Sequence, residues 1–501
     1  MLTRLRVSGF KNLVDVDISF GPFTCIAGAN GVGKSNLLDA IVFLSALADK
    51  PLLDAALSVR DQGAKTGDIR GLFHHVGDYF DEEMTFEAEM IIPLHGTDDL
   101  GQEAEASATF VQYAVSLRYK CDESARAPGS LELVKEELKH ITLRDAAQHL
   151  PFHPSREWRD RIVKNARRTP KYISTEGEGA DRVINVHQDG GSSGKPQKLR
   201  AANLPRTVLS AANSAESPTA TLAKREMQSW RLLQLEPSAL REPDNFTAPV
   251  ELGSDGAHLP ATLFHLANAP NGLGVDSAAV YAEVANRLSQ LIDDVRSIHV
   301  DRDERRQLFT IYATGRDGTS YPARALSDGT LRFLALTVLS IEPDSRGVIC
   351  MEEPENGIHP ERIPAMIQLL RDLTTDVRER WPDGSELRQV IVNTHSPSVV
   401  MQVPDDSLLM AEPVDLIRNQ VSFRALRLRC LPDTWRLEEG RLRPIAKGRL
   451  LAYLNPVSRS GENGWDGSVR EEDASDERRA RRVIDRDDVR QYKIQFSEIS
   501  E

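Results

Sequence analysis

The chain has 501 residues, of which 62 are Lys or Arg and 75 are Asp or Glu, so its formal net charge is −13. Hydrophobic residues make up 40% of the chain and charged residues 27%. This composition is that of a globular protein with a sizeable core, and it excludes collagen, wholesale disorder and a disulfide scaffold.

The cysteines and the apolar runs bear on the compartment. The four cysteines are scattered, without C-x-x-C spacing, which argues against a zinc cluster or a disulfide framework and favours a reducing cytoplasm. No apolar run approaches the ~18 residues of a membrane-spanning helix, and the opening MLTRLRVSGF lacks the features of a signal peptide. We therefore expect a cytoplasmic chain without a membrane partner. The acidic net charge argues against indiscriminate coating of nucleic acid, but it leaves a local basic groove possible.

The first elements in chain order predict a nucleotide-binding α/β domain. Residues 2–8 and 14–20 alternate like half-buried strands, and residues 23–27 form a short apolar run. A glycine-rich loop follows, and from residue 35 to residue 47 apolar side chains recur at helical spacing. Residues 83–119 predict further strands.

The pattern loosens after residue 121. Pro, Gly and Ser clusters appear, and the polar stretch 175–197 predicts a hairpin turn at Gly190–Gly191. Sustained heptads are missing, so a long coiled coil is not expected. Strong patterns return near residue 276, and the predicted elements are a helix over 276–294, a strand over 307–313, a helix over 330–341, a buried strand over 347–351, a helix over 362–373, a second buried strand over 388–393 and a last core strand over 408–411.

These elements predict an α/β fold with a mixed sheet, split by a large α+β insertion and followed by a small C-terminal extension. We divide the chain into 1–121 and 273–411 as the two parts of one head, 122–272 as an insertion that docks a partner, 412–458 as a small basic subdomain and 459–501 as a mobile charged tail.

The first motif that carries chemistry is the run GANGVGKS, residues 28–35, which matches G-x-x-x-x-G-K-[S/T]. Glycines let the backbone wrap a phosphate without Cβ clashes, and the loop N–H groups with the following helix N-terminus supply positive potential. Lys34 would reach the β- and γ-phosphates, and Ser35 would hold Mg²⁺.

The second motif is the run GVICMEEP, residues 347–354, in which an apolar strand ends in two carboxylates. The carboxyl end of a parallel strand is where such groups would lie beside the phosphate loop. Glu352 would support Mg²⁺ or its water shell, and Glu353 would polarise the attacking water. Taken alone, an acidic pair after a strand is common, and the phosphate loop is what favours the catalytic interpretation.

Two further motifs can each be interpreted as functional or as purely structural. Ser327 precedes an apolar helix and could make an anion site with the helix N-terminus, although an ordinary Ser/Asp helix cap has the same sequence. His395 directly follows a buried strand and could sense a γ-phosphate, although a lone histidine is more often structural. Their order around the acidic strand favours the functional interpretation of both.

Together the four motifs resemble the head of an ATP-binding cassette ATPase. GANGVGKS matches Walker A, CMEEPENGIHP resembles Walker B plus the D-loop, and NTHSP resembles the His switch. LSDGT resembles the signature LSGGQ, with departures at Asp328 and Thr330, and Glu352 stands where Asp is usual. The opening RLRVSGFKNL, the run EEPENGIHP and the long spacing between the Walker motifs are similar to the RecF/OLD-like branch. That branch includes DNA-repair ATPases and ATPase subunits of anti-phage defence systems.

The resemblance implies an ATPase that uses ATP and Mg²⁺ and forms a head-to-tail homodimer or a higher even-numbered oligomer. Glu353, Lys34 and His395 would be catalytic, and Ser35 and Glu352 would hold the metal. The nucleotide-binding residues that it implies are Asn30, Gly31, Val32, Gly33, Lys34, Ser35, Asn36, and, from the second copy, Ser327 and Gly329. ATP would favour the closed dimer because its γ-phosphate makes a contact that ADP cannot make.

Further positions follow from the resemblance with less support. The D-loop residues Asn356 and His359 would face the dimer seam, and Lys11 and Asn12 would approach the base or the ribose. The Q-loop glutamine of the family has no clear match, and Gln62 and Gln112 are both candidates.

Three functions remain open on the sequence. The first is an ATP-hydrolysing switch that controls a separate effector protein, as the ATPase or sensor subunit of an anti-phage defence system. The second is a RecF-like repair or recombination ATPase that acts on DNA, for which residues 156–171 and 418–449 offer basic stretches. The third is an ATP-bound scaffold with negligible hydrolysis. The compact insertion and the acidic net charge favour the first.

Overall fold

The computed structural model describes the chain except for residues 60–68, 121–128, 165–170, 190–195, 269–276, 291, 293–294, 343–345, 380–385, 419, 456–481, 484–485 and 487–501. The strands, in chain order, are β1 Leu2–Ser8, β2 Val16–Ser19, β3 Phe23–Ala27, β4 His75–Val76, β5 Tyr79–Phe80, β6 Glu83–Ile91, β7 His95–Thr97, β8 Glu103–Glu105, β9 Phe110–Lys120, β10 Ser130–His140, β11 Ile173–Glu176, β12 Val183–Val186, β13 Gln197–Arg200, β14 Arg231–Leu233, β15 Asp244–Asn245, β16 Val295–Asp303, β17 Leu308–Gly315, β18 Ser320–Pro322, β19 Gly347–Glu352, β20 Arg388–Thr394, β21 Leu408–Arg418, β22 Val421–Cys430 and β23 Arg443–Pro444.

The α-helices, in chain order, are α1 Lys34–Leu47, α2 Leu52–Leu57, α3 Leu143–His149, α4 Arg156–Ile162, α5 Pro218–Gln228, α6 Pro237–Arg241, α7 Leu259–Asn268, α8 Ser277–Ser289, α9 Asp328–Ile341, α10 Ile363–Asp372, α11 Pro397–Gln402, α12 Trp435–Glu438 and α13 Lys447–Leu454.

Two large sheets organise these elements. The outer sheet has eight strands in the order β13-β12-β11-β10-β9-β6-β1-β2, and all its neighbours are antiparallel. The central sheet has seven strands in the order β14-β19-β20-β3-β21-β22-β23, and it is parallel from β14 through β21. A smaller sheet is formed by β15, β16, β17 and β18.

The inner strands of the central sheet are buried on both faces, which explains why they are continuous apolar runs in the sequence. Every residue of β3 is buried, as is every residue of β19 except its last. Val348 and Cys350 face α1 and the outer sheet, while the alternate residues Ile349 and Met351 face the opposite layer with α9, α10 and α11. The central sheet is therefore the middle layer of the molecule.

The range 122–272 contributes strands to both large sheets. β10, β11, β12 and β13 extend the outer sheet beyond β9, and β14 forms an edge of the central sheet beside β19. A division of the chain at residue 122 stays a prediction, and these strands are continuous with the sheets of the head. The predicted turn at Gly190–Gly191 lies outside the described residues.

The C-terminal elements also join the central sheet. β21 continues past the predicted end of the last core strand and pairs with β22, and α13 packs against α11. The structure describes three residues in the range predicted as a mobile tail, and the mobility of that range stays a prediction. Arg482 forms a β-bridge with Pro404, Val483 is fully buried, and Arg486 Nη1 lies 3.4 Å from Asp405 Oδ2. In the part of the chain that the structure describes, no helix has the length and apolarity needed to cross a bilayer.

Candidate nucleotide site

The strands of the central sheet bring four segments together at one edge. The loops after β3, β14, β19 and β20 all lie at the carboxyl ends of parallel strands, where ligands bind in open α/β sheets. The loops after β3, β14 and β19 line a cavity of about 600 Å³, together with Asn393 near the end of β20 and with Arg332 and Leu336 of α9. Predicted site residues that line it are Asn30, Gly31, Gly33, Lys34, Ser35, Asn36, Glu352 and Glu353.

The Walker A loop, residues 28–35, depends on its glycines. Gly33 has a φ of 107° and forms the N-cap of α1, a backbone conformation that residues with a Cβ rarely adopt. A Cβ on Gly33 would also lie 2.2 Å from the Asn12 amide nitrogen. Asn12 uses that amide to hold the loop, because its Nδ2 donates to Val32 O at 2.8 Å while its Oδ1 accepts from Asn36 Nδ2 at 2.8 Å. Val32 itself is buried beneath the loop.

Lys34 lies along the inside of this loop. Its Nζ donates to Gly28 O at 2.7 Å and to Ala29 O at 2.9 Å, and the residue is only 6% exposed. Burial lowers the pKa of the Lys34 ammonium from its ordinary value, while the nearby carboxylates of Glu353 and Glu355 oppose that shift. Two carbonyl oxygens of the loop therefore hold the Lys34 ammonium at the wall of the cavity.

Glu353 has an unusual backbone and a fully engaged carboxylate. Its φ is 46°, in the left-handed region. This conformation is unfavourable for any residue other than glycine, and it recurs at active sites. Glu353 Oε1 lies 2.7 Å from His395 Nδ1, and Asn356 Nδ2 donates to Glu353 Oε2 at 2.9 Å. The structure thus brings Glu353 and His395, two of the predicted catalytic residues, into contact, and the third, Lys34, lines the same cavity as Glu353.

The two predicted metal-binding residues meet through Asn393, at the end of β20. Asn393 Nδ2 lies 3.2 Å from Glu352 Oε1 and 3.4 Å from Ser35 Oγ. Asn393 is 1% exposed, and its Oδ1 accepts from the Glu353 N–H at 3.2 Å. Hydroxyl and carboxylate oxygens are the ligands that Mg²⁺ prefers, together with phosphate and water, so these residues fit the cation. Within the described ranges no group of three or more His, Cys, Asp or Glu side chains forms a metal site independent of substrate.

Sequence reasoning missed the glutamine of this site. Gln234 directly follows β14 and lines the cavity, and its Nε2 donates to Glu352 Oε2 at 3.1 Å. Of the two earlier candidates, Gln112 lies on β9 and bonds to Glu87, away from the cavity, and Gln62 lies outside the described residues. The signal that could have found Gln234 is the short apolar run Leu232–Leu233 before it, which is typical of a brief edge strand.

Ser327 and Gly329 do not line the cavity of their own chain. Ser327 caps α9, with its Oγ accepting from the Thr330 N–H at 3.2 Å. A Cβ on Gly329 would lie 2.9 Å from Gly357 O, so this residue packs directly against the D-loop. Such a position on the surface beside the D-loop is compatible with a role toward a second copy.

The basic stretches are largely compensated by acidic neighbours. Among the described residues of the range 418–449, ion pairs include Arg418–Asp81, Arg424–Asp415, Arg429–Glu412, Arg441–Asp17, Arg441–Glu439 and Arg449–Glu412. In the range 156–171, Trp158 is fully buried, and Arg156 and Arg159 both pair with Asp160. These contacts favour a structural role for both stretches over a basic groove for nucleic acid.

The fold and the site define a class of protein. A phosphate-binding loop between β3 and α1, two carboxylates at the end of β19, and a signature-type cap on α9 are the parts of an ABC-type P-loop ATPase head. The family model described as "AAA domain, putative AbiEii toxin, Type IV TA system" matches residues 23–121 and 138–401, and the chain belongs to this family. The chain is an ABC-type AAA ATPase by family, and its motifs are similar to those of RecF and OLD proteins.

Individual relatives match over short segments. The chain is 46% identical over 79 residues to a DNA replication and repair protein RecF of an Anaeromyxobacter species, covering 15% of this chain and 21% of the relative. It is 51% identical over 41 residues to an OLD nuclease of Thermus scotoductus, covering 8% of each. The chain thus spans about a fifth of the length of the RecF relative. An SMC head bound to the C-winged helix domain of ScpA aligns with a TM-score of 0.45 at 13% identity, over 86% of this chain and 98% of that one.

Proposed function

We propose that the chain hydrolyses ATP to ADP and phosphate in an Mg²⁺-dependent reaction. The observation that carries this proposal is the position of Glu353, which faces the cavity of the Walker A loop with its carboxylate oriented by His395 and Asn356. A carboxylate held by hydrogen bonds near bound phosphate can accept the proton of an attacking water.

The other residues supply binding and charge. The loop N–H groups and the N-terminus of α1 bind the phosphates, and the Lys34 ammonium compensates the charge on the transferred phosphoryl group. Gln234 and Asn393 fix the Glu352 carboxylate from two sides, at 3.1 and 3.2 Å. Mg²⁺ bound with the substrate would neutralise negative charge on the phosphate oxygens, and Ser35 and Glu352 would hold it.

The proposal includes a head-to-tail dimer. Ser327 and Gly329 lie outside the cavity of their own chain, on the surface beside the D-loop, so a second copy is the natural source of such groups for each nucleotide. Contacts from the second copy to the γ-phosphate would make closure depend on ATP, because a ligand shifts an equilibrium only by its differential affinity for the two states.

The biological output that we propose is control of a separate effector protein, in a defence or toxin system. The family description names a toxin of a type IV toxin–antitoxin system, and the compensated basic stretches argue against a dedicated DNA clamp. The likeness to RecF over 79 residues supports the alternative of an ATPase that acts on DNA. An ATP-bound scaffold with negligible hydrolysis is the third candidate.

The test is steady-state ATP hydrolysis by the purified chain, with and without Mg²⁺ and duplex DNA, beside Lys34→Ala and Glu353→Gln. We expect Mg²⁺-dependent turnover that falls by about 10²-fold or more in Glu353→Gln, the scale expected on loss of one transition-state group. Glu386→Gln is the matched control, because Glu386 pairs with Arg346 at the opposite end of β19 and should leave turnover unchanged.

The outcomes separate the candidates. Turnover that ignores DNA supports the effector-coupled switch, and turnover raised several-fold by DNA supports the RecF-like alternative. ATP binding with equally low turnover in the wild type and in Glu353→Gln would contradict hydrolysis and support the scaffold.

A further inference from the structure

The signature loop, Leu326–Thr330, departs from the usual LSGGQ at two positions, and the structure gives a contact to each. Thr330 Oγ1 lies 2.8 Å from Ser327 Oγ, in addition to the backbone N–H of Thr330 that donates to the same oxygen. Thr330 is buried, with 8% of its surface exposed. The departure at Thr330 therefore supplies a hydrogen bond that orients the Ser327 hydroxyl.

The departure at Asp328 supplies an ion pair. Arg241 donates to the Asp328 carboxylate and, through the same Nη2, to Leu326 O at 3.2 Å. Leu326 and Asp328 are the two neighbours of Ser327 in the chain. One guanidinium therefore fixes the backbone before Ser327 and the side chain after it.

The exposure of this ion pair indicates that it contributes little to stability. The Arg241 side chain is 29% exposed and the Asp328 side chain 51% exposed. Ion pairs at such exposure are screened by water and salt, and their net effect on folding is small. Both contacts come from the single nitrogen Nη2, so Asp328 and Leu326 O are held close to one point on either side of Ser327. We therefore expect the pair to affect the geometry of the loop more than the stability of the fold.

Arg241 belongs to a segment that also contacts the nucleotide cavity of its own chain. The segment Gln234–Arg241 begins with Gln234 on the Glu352 carboxylate and ends with Arg241 at the end of α6. Arg332, one turn into α9, donates through Nε to Leu235 O at 3.1 Å and also contacts Asn356 O. The position of the signature loop is thus linked to the metal-side carboxylate through eight residues of chain.

We propose that Arg241 is a positioning residue for the composite site. Through Asp328 and Leu326 it holds Ser327 and Gly329 in the orientation that a nucleotide bound to a second copy of the chain requires. This inference rests on the proposed head-to-tail dimer and goes beyond it, because it assigns a role to a residue that carries no recognised motif. Loss of Arg241 leaves ATP binding to the Walker A loop of the single chain intact and weakens ATP-dependent association of two chains.

The experiment uses the full chain with Glu353→Gln as the parent, so that ATP binds without turnover. Sedimentation velocity with ATP and Mg²⁺ measures dimerisation, a fluorescent ATP analogue at low protein concentration measures binding to the monomer, and thermal unfolding measures stability. When Arg241→Ala is added to this parent, the dimer dissociation constant should rise by about tenfold, the scale of one lost charge-assisted contact. Its ATP affinity as a monomer and its Tm should match the parent.

Two further variants make the result specific. The exchange Arg241→Asp with Asp328→Arg restores an opposite-charge pair and should recover most of the dimerisation, whereas Arg241→Asp alone should not. Arg346→Ala removes an exposed ion pair with Glu386, 3.0 Å long and far from the signature loop, and should behave as the parent.

Dimerisation of Arg241→Ala at parental strength would overturn the proposal, as would a loss of dimerisation that follows only a fall in Tm. A parent that binds ATP but forms no ATP-dependent dimer would contradict the proposed dimer itself, and the assigned role of Arg241 with it.

Discussion

Glu353 and Glu352 are adjacent in the chain, yet their carboxylates are held by different partners, and we propose different roles for them. Glu353 has a left-handed backbone, and its carboxylate bonds to His395 and Asn356. Glu352 keeps a strand conformation and bonds to Asn393 and Gln234. The change of backbone conformation between the two residues directs their carboxylates to different partners, and strained backbone of this kind recurs at functional sites.

Replacement of Gln234 by Ala tests the metal-side arrangement. The Glu352 carboxylate would lose the amide at 3.1 Å and would keep its contact with Asn393 Nδ2 at 3.2 Å. We expect a fall of about 10- to 100-fold in kcat or in the apparent affinity for Mg²⁺, the range found when a group that orients a metal ligand is removed. The measurement is ATP turnover as a function of Mg²⁺ concentration.

Gln112→Ala is the control within the same chain. Gln112 lies on β9, bonds to Glu87 and does not line the cavity, so its removal should leave the Mg²⁺ dependence unchanged. Equal effects of the two substitutions would contradict the assignment of Gln234.

At the scale of elements, a buried carboxyl joins the outer sheet to the segment before α5. Glu136 on β10 is fully buried, and its carboxylate accepts from the N–H groups of Val208 at 2.7 Å and Leu209 at 2.8 Å. Tyr113 Oη lies 3.0 Å from the same carboxylate. Burial raises the pKa of Glu136 from 4.5 to about 7, although these hydrogen bonds oppose the shift.

This raised pKa predicts a pH dependence of stability with a definite sign. Between about pH 4.5 and pH 7 the unfolded chain loses the Glu136 proton while the folded chain keeps it, so the free energy of unfolding falls as pH rises. Relative to the wild type, Glu136→Gln should gain up to about 3 kcal/mol between pH 4.5 and pH 7, because one pKa unit corresponds to about 1.4 kcal/mol. Denaturant unfolding at several pH values measures this difference.

The exposed Glu176 on β11 gives the comparison, since Glu176→Gln should show the same pH profile as the wild type. A difference between Glu136→Gln and the wild type that stays constant with pH would show that Glu136 is ionised in the folded state throughout.

At the scale of the whole molecule, the nucleotide site joins distant parts of the chain. The Walker A loop lies between β3 and α1, the carboxylates follow β19, and Gln234 follows β14, so a bound nucleotide contacts three separated regions. Anything that binds only the native state stabilises all the parts that build its site.

Binding of ATP should therefore raise the Tm of the whole chain in one cooperative step. In Glu353→Gln, with Mg²⁺ present and ATP at a hundred times its dissociation constant, the free energy of unfolding should rise by about 2.7 kcal/mol. Lys34→Ala, which removes the ammonium from the cavity, should show little or no stabilisation by ATP. Calorimetry that resolves two transitions, with ATP raising only one of them, would contradict a site shared across the chain.

The degree to which the sequence predicted this site depends on how local each signal is. The Walker A loop and the β19 carboxylates are contiguous runs, so motif and strand pattern were sufficient to place Lys34, Ser35 and Glu353. Gln234 is 118 residues from Glu352, and only the parallel pairing of β14 with β19 brings the two together. The contact of Arg241 could not be predicted from the sequence for the same reason, since its partner Asp328 is 87 residues away. The roles of the predicted site residues stay predictions until the variants are measured.

The place of β3 in the central sheet has a consequence for protein synthesis. β3 pairs with β20 on one side and with β21 on the other, and Phe23 lies opposite Val390. A growing chain therefore carries its phosphate loop without neighbouring strands until nearly 400 residues have left the ribosome, which at roughly 5–20 residues per second takes on the order of 20 to 80 s. Chains that end before β20 lack both strands that flank β3, and they lack Asn393 from the lining of the cavity.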